Sequence, residues 1–128
     1  MIKKVHKIKK SKIIPRTGCI HIKSTFNNTI INITDLKGNA LFINSTGSCG
    51  FKGAKKRTPF AAESAASKIG FHAYIQGIKK VSIFLSGPGT GRESALDALK
   101  VCGFTFFKIH EIMLNPHNGC RPRKKRRI

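Results

Sequence analysis

The sequence predicts an α/β fold: a mixed five-stranded sheet with packed helices, in the order βββαβαβ, and basic extended tails at both ends. Three observations carry this. Apolar residues alternate with polar ones in Gly18–Ser24 and again in Asn28–Asp35, the period of half-buried strands. Two later segments carry apolar residues at helical spacing. Short apolar runs, Val81–Leu85 and Phe104–Met113, follow each helix, as in strand–helix–strand units.

The elements follow in order. Gly18–Ser24 is a strand with Ile20 and Ile22 inward and His21 and Lys23 outward. Phe26-Asn27-Asn28 is a turn signal. Asn28–Asp35 alternates again, with Ile31 and Ile33 inward, and Asp35–Asn39 is a hairpin loop leading to a strand over Ala40–Asn44. Residues 45–57 read as a loop rich in Gly, Ser and Lys. Thr58-Pro59 opens a helix, Thr as cap and Pro as its first residue. Ala62, Ala66, Ile69 and Ala73 lie on one face of it, and small alanines let it sit close to a sheet. Gly70 weakens it by about 1 kcal/mol relative to Ala, and Gly77 suits its end. Lys80–Ser86 is a strand, and Gly87–Gly91 leads into a second helix with Ala95, Leu99 and Cys102 on one face. Gly103 ends that helix. The last strand, Phe104–Met113, is apolar on both faces at its start, which places it in the middle of the sheet. It should join the preceding strand by a right-handed parallel crossover. The domain boundaries expected are an arm over 1–17, a core over 18–114 and a tail over 115–128.

Charge dictates the partner. Lys and Arg number 25 against 5 acidic residues, a net charge of +20. Such a surface seeks polyanions. The positive residues are concentrated: Lys3, Lys4, Lys7, Lys9, Lys10, Lys12 and Arg16 in the N-terminal arm; Lys52, Lys55, Lys56 and Arg57 in the loop; Arg121, Arg123, Lys124, Lys125, Arg126 and Arg127 in the tail. Charge runs of this kind stay disordered alone and act as arms for nucleic acid, although a solubilising tail or an import signal has the same composition. RNA fits better than DNA, because neither helix is basic and exposed enough to enter a major groove. Contact with about eight phosphates would give log K a slope near −6 to −7 against log salt.

Other chemistries find little support. The cysteines at 19, 49, 102 and 120 lack the C-x-x-C spacing of a zinc or redox motif and read as reduced packing residues. The basic N-terminus lacks the apolar stretch of a signal peptide, and no run approaches the ~20 apolar residues of a membrane span. The five carboxylates, Asp35, Glu63, Glu93, Asp97 and Glu111, suggest no catalytic pair, so no enzyme is expected. His117-x2-Cys120 is half a metal site, and no metal or cofactor is expected. Gly50–Phe60 lacks the P-loop order; its glycines allow close backbone approach to a phosphate and its lysines add charge at a helix start. Gly87-Pro88-Gly89-Thr90-Gly91-Arg92 fails both nucleotide-loop spacings. Two readings stay open there: backbone N–H contact with an RNA phosphate beside Arg92, or a purely structural turn.

Five ordered motifs carry a family resemblance. They are Phe26-Asn-Asn-Thr-Ile-Ile31; Thr34-Asp-x-x-Gly-Asn-Ala40; Gly50-Phe-x-Gly53 followed by Thr58-Pro-Phe-Ala-Ala62; Gly87-Pro-Gly-x-Gly-Arg-Glu-Ser94; and Pro116-His-Asn-Gly-Cys-Arg-Pro122. Over residues 18–128 the chain resembles the small-subunit ribosomal protein S-eleven family in its bacterial or organellar form. The resemblance implies a ribonuclease-H-like sheet without nuclease activity. It implies a place on the small-subunit platform, binding small-subunit rRNA near the messenger exit and the Shine–Dalgarno cleft. It also implies the ribosomal proteins numbered seven, eighteen and twenty-one as neighbours, and neither a homo-oligomer nor a small-molecule substrate. By position it assigns RNA contact to Asn27, Asn28, Lys52–Arg57, Gly87, Gly89, Gly91, Arg92, His117, Asn118 and the basic residues from Arg121 to Arg127. Arg123 replaces a second Pro usual in the family and adds charge. Lys (18) over Arg (7), with 17 Ile and 7 Asn, suggests an AT-rich, often organellar genome, and Cys49 in its motif resembles plastid members. A plastid ribosome is favoured over a bacterial cytoplasm. The competing readings are a ribonuclease-H-like nucleic-acid enzyme, which needs clustered carboxylates for metal ions, and an RNA binder outside the ribosome.

Overall fold

The computed structural model describes residues 13–112 and 115–128. The strands are β1 (Thr17–Ser24), β2 (Thr29–Thr34), β3 (Ala40–Ser45), β4 (Lys80–Ser86) and β5 (Thr105–Ile112); the helices are α1 (Pro59–Gln76) and α2 (Gly91–Val101). The order βββαβαβ is the one predicted. The strands form one sheet, β3-β2-β1-β4-β5. β2 pairs antiparallel with both neighbours, while β1, β4 and β5 pair parallel. Four strands therefore point the same way and β2 alone is reversed.

Alternation sets which face is buried. Ile20 and Ile22 of β1, Ile31 and Ile33 of β2, and Val81, Ile83 and Leu85 of β4 are buried against Ala62, Ala65, Ala66, Ile69 and Ala73 of α1 and Ala95, Ala98 and Leu99 of α2. Among the described residues the opposite face carries no helix. Across its middle, His21, Phe84 and His110 stack, with ring centroids 5.0 and 5.1 Å apart and planes within 13° of parallel. These residues are direct neighbours in the sheet register, so strand spacing imposes the stack.

The helix ends follow the local signals. Thr58 Oγ1 accepts the Ala61 N–H, and Pro59 begins the helix. At the far end Gly77 takes a left-handed φ of 115° and its N–H reaches the Ala73 and Tyr74 carbonyls. In the β2–β3 hairpin, the Asp35 carboxylate accepts from the Lys37 and Asn39 N–H groups and from Asn39 Nδ2. Those bonds, led by the Asn39 side chain, hold its pKa below the ordinary carboxylate value.

Three expectations change. β5 is an edge strand, not a central one. Val81 pairs with Phe106 and Ser82 with Lys108, so Phe107 is an extra residue without a partner and is 71% exposed. The bulge puts adjacent phenylalanines in different surroundings, which imitates a strand covered on both sides. Residues 45–57 are not an open loop: β3 runs to Ser45, and a 3-10 turn spans Gly53–Arg57. Cys120 is exposed, although the other three cysteines are partly buried; none of the four is in a disulfide. Burial pushes the Cys19 and Cys102 thiols above their ordinary pKa.

Gly70 also proves to be more than a weak point in α1. A Cβ there would lie 2.8 Å from Cys102 Sγ, 3.0 Å from Leu99 Cδ2 and 3.3 Å from Phe104 Cε2. The missing side chain lets α1 and α2 meet. Helix propensity favours Ala by about 1 kcal/mol, but overpacking costs about 1–3 kcal/mol. Gly70→Ala is therefore expected to lower stability by about 1 kcal/mol net, read as a lower urea midpoint. A higher midpoint would show that Cys102 and Leu99 move aside without cost.

Candidate RNA interface

Strand direction gathers the candidate segments. β1, β3, β4 and β5 all finish at one end of the sheet, and β2 begins there. That end therefore carries the Thr25–Asn28 turn, the loop from Thr46 to Arg57, the Gly87–Thr90 turn and the departure of the chain after β5. Both helices start there too, so their N–H ends face the same side as the basic loop. Asn115 lines a cleft with Gly87, Pro88 and Arg92, which places the root of the tail beside these turns.

Each segment is braced. Thr25 N–H donates to the Asn28 carbonyl at 2.8 Å, and Thr25 Oγ1 accepts from Asn28 N–H at 3.1 Å. Asn28 Oδ1 accepts from Thr29 N–H and from the Thr46 hydroxyl, tying the β1–β2 turn to the start of the basic loop. Its carbonyl oxygen is thus committed inward, whereas Asn27 is exposed. The Thr90 hydroxyl donates to the Arg57 carbonyl at 2.9 Å, linking the α2 start to the 3-10 turn. Lys52, Lys55 and Arg57 are exposed and Lys56 is half-buried. None of the four pairs with a carboxylate among the described residues.

The glycine turn divides the two readings of its role. Gly89 N–H donates to the Ser24 carbonyl at 2.9 Å, so it is not free to bind a phosphate. Gly87 has φ 87°, and a Cβ on it would lie 2.2 Å from the Ser24 carbonyl oxygen. A Cβ on Gly91 would lie 2.5 Å from Thr29 Oγ1 and 2.7 Å from Ala62 Cβ. All three glycines are close-approach positions that seat the turn on β1 and β2. Arg92 is engaged as well: its Nη2 meets Glu111 Oε1 at 2.6 Å and its Nη1 donates to the Gly87 carbonyl at 3.4 Å. It joins the turn to the end of β5, and only part of its guanidinium remains for a ligand.

The tail, residues 115–128, forms no helix or strand and is exposed throughout. His117, Asn118, Arg121, Arg123, Lys124, Lys125, Arg126 and Arg127 all face solvent, and Asn118 has φ 61°. The N-terminal arm differs. Lys3, Lys4, Lys7, Lys9, Lys10 and Lys12 lie outside the described residues. Arg16 precedes β1, and its carbonyl accepts from the Lys79 N–H before β4. It stands at the opposite end of the sheet, an eight-residue strand away, roughly 26 Å.

Read as a string, Phe26 shows only as part of a turn signal and of the first family motif. It is 69% exposed and lines a cleft with Arg57, Thr58, Pro59 and Thr90. The five carboxylates, by contrast, do not assemble: no group of three or more His, Cys, Asp or Glu among the described residues could hold a metal ion.

Residues 18–127 match the family model for ribosomal protein S11. The chain is 51% identical over 121 residues to small ribosomal subunit protein uS11c of Cyanidioschyzon merolae, covering 94% of this chain and all of that one. It is 48% identical to the uS11c of Guillardia theta over 130 residues, covering both chains completely. The figure for the uS11c of Physcomitrium patens is 47% over 128 residues, with 100% and 98% covered. An end-to-end match of this strength, on a sheet of the implied form, makes the chain a member of the ribosomal protein S11 family, a structural component of the small ribosomal subunit and not an enzyme.

Proposed function

We propose that the chain holds small-subunit rRNA with the loop-bearing end of its sheet and its C-terminal tail, on the platform near the messenger exit and the Shine–Dalgarno cleft. The observation that carries this is convergence: the Asn27 turn, the Lys52–Arg57 turn, two helix starts and the root of the basic tail share one end. Cationic groups on a braced framework bind a folded polyanion with little loss of loop entropy. The N-terminal arm joins the core at Arg16, at the opposite end of the sheet, and its charge is proposed to bind a second RNA segment, so that the protein bridges separate segments.

The proteins numbered seven, eighteen and twenty-one are proposed as neighbours from the family resemblance. Support comes from exposed apolar side chains near the β3 edge: Ile43 on the strand and Phe71 and Ile75 on α1 border one groove. The ribosome is that of a plastid. The uS11c relatives and the Lys-, Ile- and Asn-rich composition agree on this.

Cross-link mapping on small subunits tests the proposal. Expected cross-links run from Asn27, Lys52–Arg57 and His117–Arg127 to rRNA, with few from the Asp35–Asn39 hairpin at the other end. Cross-links concentrated at that hairpin would reverse the assigned face. Failure to comigrate with small subunits at moderate salt would defeat the proposal outright.

A further inference from the structure

The cleft beside Phe26 has no role in the bracing described above. It measures about 400 Å³ and is lined by Phe26, Arg57, Thr58, Pro59 and Thr90. Its walls come from three segments: the β1–β2 turn, the 3-10 turn with the start of α1, and the β4–α2 turn. Two of them are joined by the bond from the Thr90 hydroxyl to the Arg57 carbonyl. The third is held by Thr25, whose side chain accepts from Asn27 and Asn28 N–H groups. The cleft is therefore preformed.

Phe26 sits in a constrained turn and still exposes most of its ring. A single exposed apolar residue needs no explanation. Here, however, the ring shares its cleft with Arg57, an exposed cationic residue, with two hydroxyl-bearing threonines and with no carboxylate. An aromatic face suits a base, and a cation suits the phosphate attached to it. Bases inside a duplex keep their faces covered by their neighbours, so only an unpaired one can offer its face to the ring.

From this geometry we infer that the cleft receives one unpaired nucleotide of an RNA, its base stacked on Phe26 and its phosphate beside Arg57. The inference rests on the RNA-binding reading and adds to it a preference for RNA with an unstacked base.

The full-length chain is titrated with a small-subunit rRNA transcript and with a fully paired RNA duplex of matched charge. Phe26→Ala is expected to weaken transcript binding about 5- to 150-fold, the range for loss of one base–aromatic stack. Duplex affinity and the salt slope for either RNA should not change, because Phe26 is uncharged. Phe26→Trp should keep the affinity. The chain has no other Trp, so its emission reports the cleft directly and should be quenched by the transcript and not by the duplex. Free adenosine monophosphate should not saturate the signal below millimolar concentration, since one stack is its main contact.

Wild-type affinity in Phe26→Ala would overturn the inference and leave the RNA-binding reading intact. Equal losses for transcript and duplex would also overturn it, because Phe26 would then only shape the turn. Full affinity in Phe26→Leu would show that apolar contact suffices without stacking. Saturation by micromolar adenosine monophosphate would make the cleft a small-molecule site. No transcript binding by the wild-type chain would defeat both readings.

Discussion

Replacing Gly89 with Val should leave the chain largely unfolded at temperatures the wild type tolerates. A Cβ at this position would lie 2.2 Å from Ser24 Oγ, 2.5 Å from the Thr25 carbonyl oxygen and 2.7 Å from the Ser24 carbonyl carbon. Two of those atoms are backbone and cannot rotate away. Relief requires the turn to lift off β1, which breaks the Gly89–Ser24 hydrogen bond and loosens the packing of Gly91 on Thr29 and Ala62. Ordinary overpacking costs about 1–3 kcal/mol and a lost buried hydrogen bond roughly 1 kcal/mol more. A total of about 3 kcal/mol or more is a large share of the stability of a small domain. Thermal or urea unfolding checks this, with Gly119→Val as control, since nothing lies within 4 Å of a Cβ there and its φ is not left-handed. A wild-type midpoint in Gly89→Val would show that the turn is loosely seated. The cause is proximity. The left-handed backbone of this turn belongs to Gly87, two residues earlier.

That distinction marks how far the sequence can be read. Features written in a few consecutive residues are legible: the alternation of β1, the Thr58-Pro59 helix start and the Gly77 stop all depend on local sterics and hydrogen bonds. The overall layout and the basic segments are legible for the same reason, together with the five-motif resemblance. What escapes depends on partners distant in the chain. The β5 bulge exists only in register with β4, so Phe104, Phe106 and Phe107 read as a buried run. Arg92 reads as a free cation because Glu111, 19 residues away, has no sequence mark as its partner. Asn28 reads as a polar turn residue, while Thr46, 18 positions on, engages its side chain. Phe26 gains meaning only when Arg57 and Thr90 arrive beside it. Net charge says that both arms seek polyanions; strand direction decides that they leave from opposite ends.

Removal of residues 116–128 should produce the largest change in RNA binding with the least change in the fold. The segment carries six basic residues, is exposed and forms no helix or strand. The unfolding midpoint should therefore stay near that of the full chain. The slope of log K against log salt should become shallower by about 4 to 5 if all six charges meet phosphates, since each contact contributes about 0.7 to 0.9. Counterion release makes the two salt series converge near 1 M, so at 0.1 M the truncated chain loses up to about four to five decades of affinity. Replacing only the six basic residues with Gln should reproduce the loss at full length. Shuffling residues 121–127 should restore the slope, because phosphate contact reads charge and not order. Any deficit that survives the shuffle then measures what a defined arrangement of these residues adds. An unchanged slope after truncation would remove the tail from the interface and leave the Lys52–Arg57 turn to supply the charge at that end. Deleting residues 1–12 supplies the last comparison. Their point of attachment lies at the other end of the sheet, so their contribution should add to that of the tail. Strong non-additivity would mean that both arms reach the same RNA segment, and the bridge between separate segments would have to be abandoned.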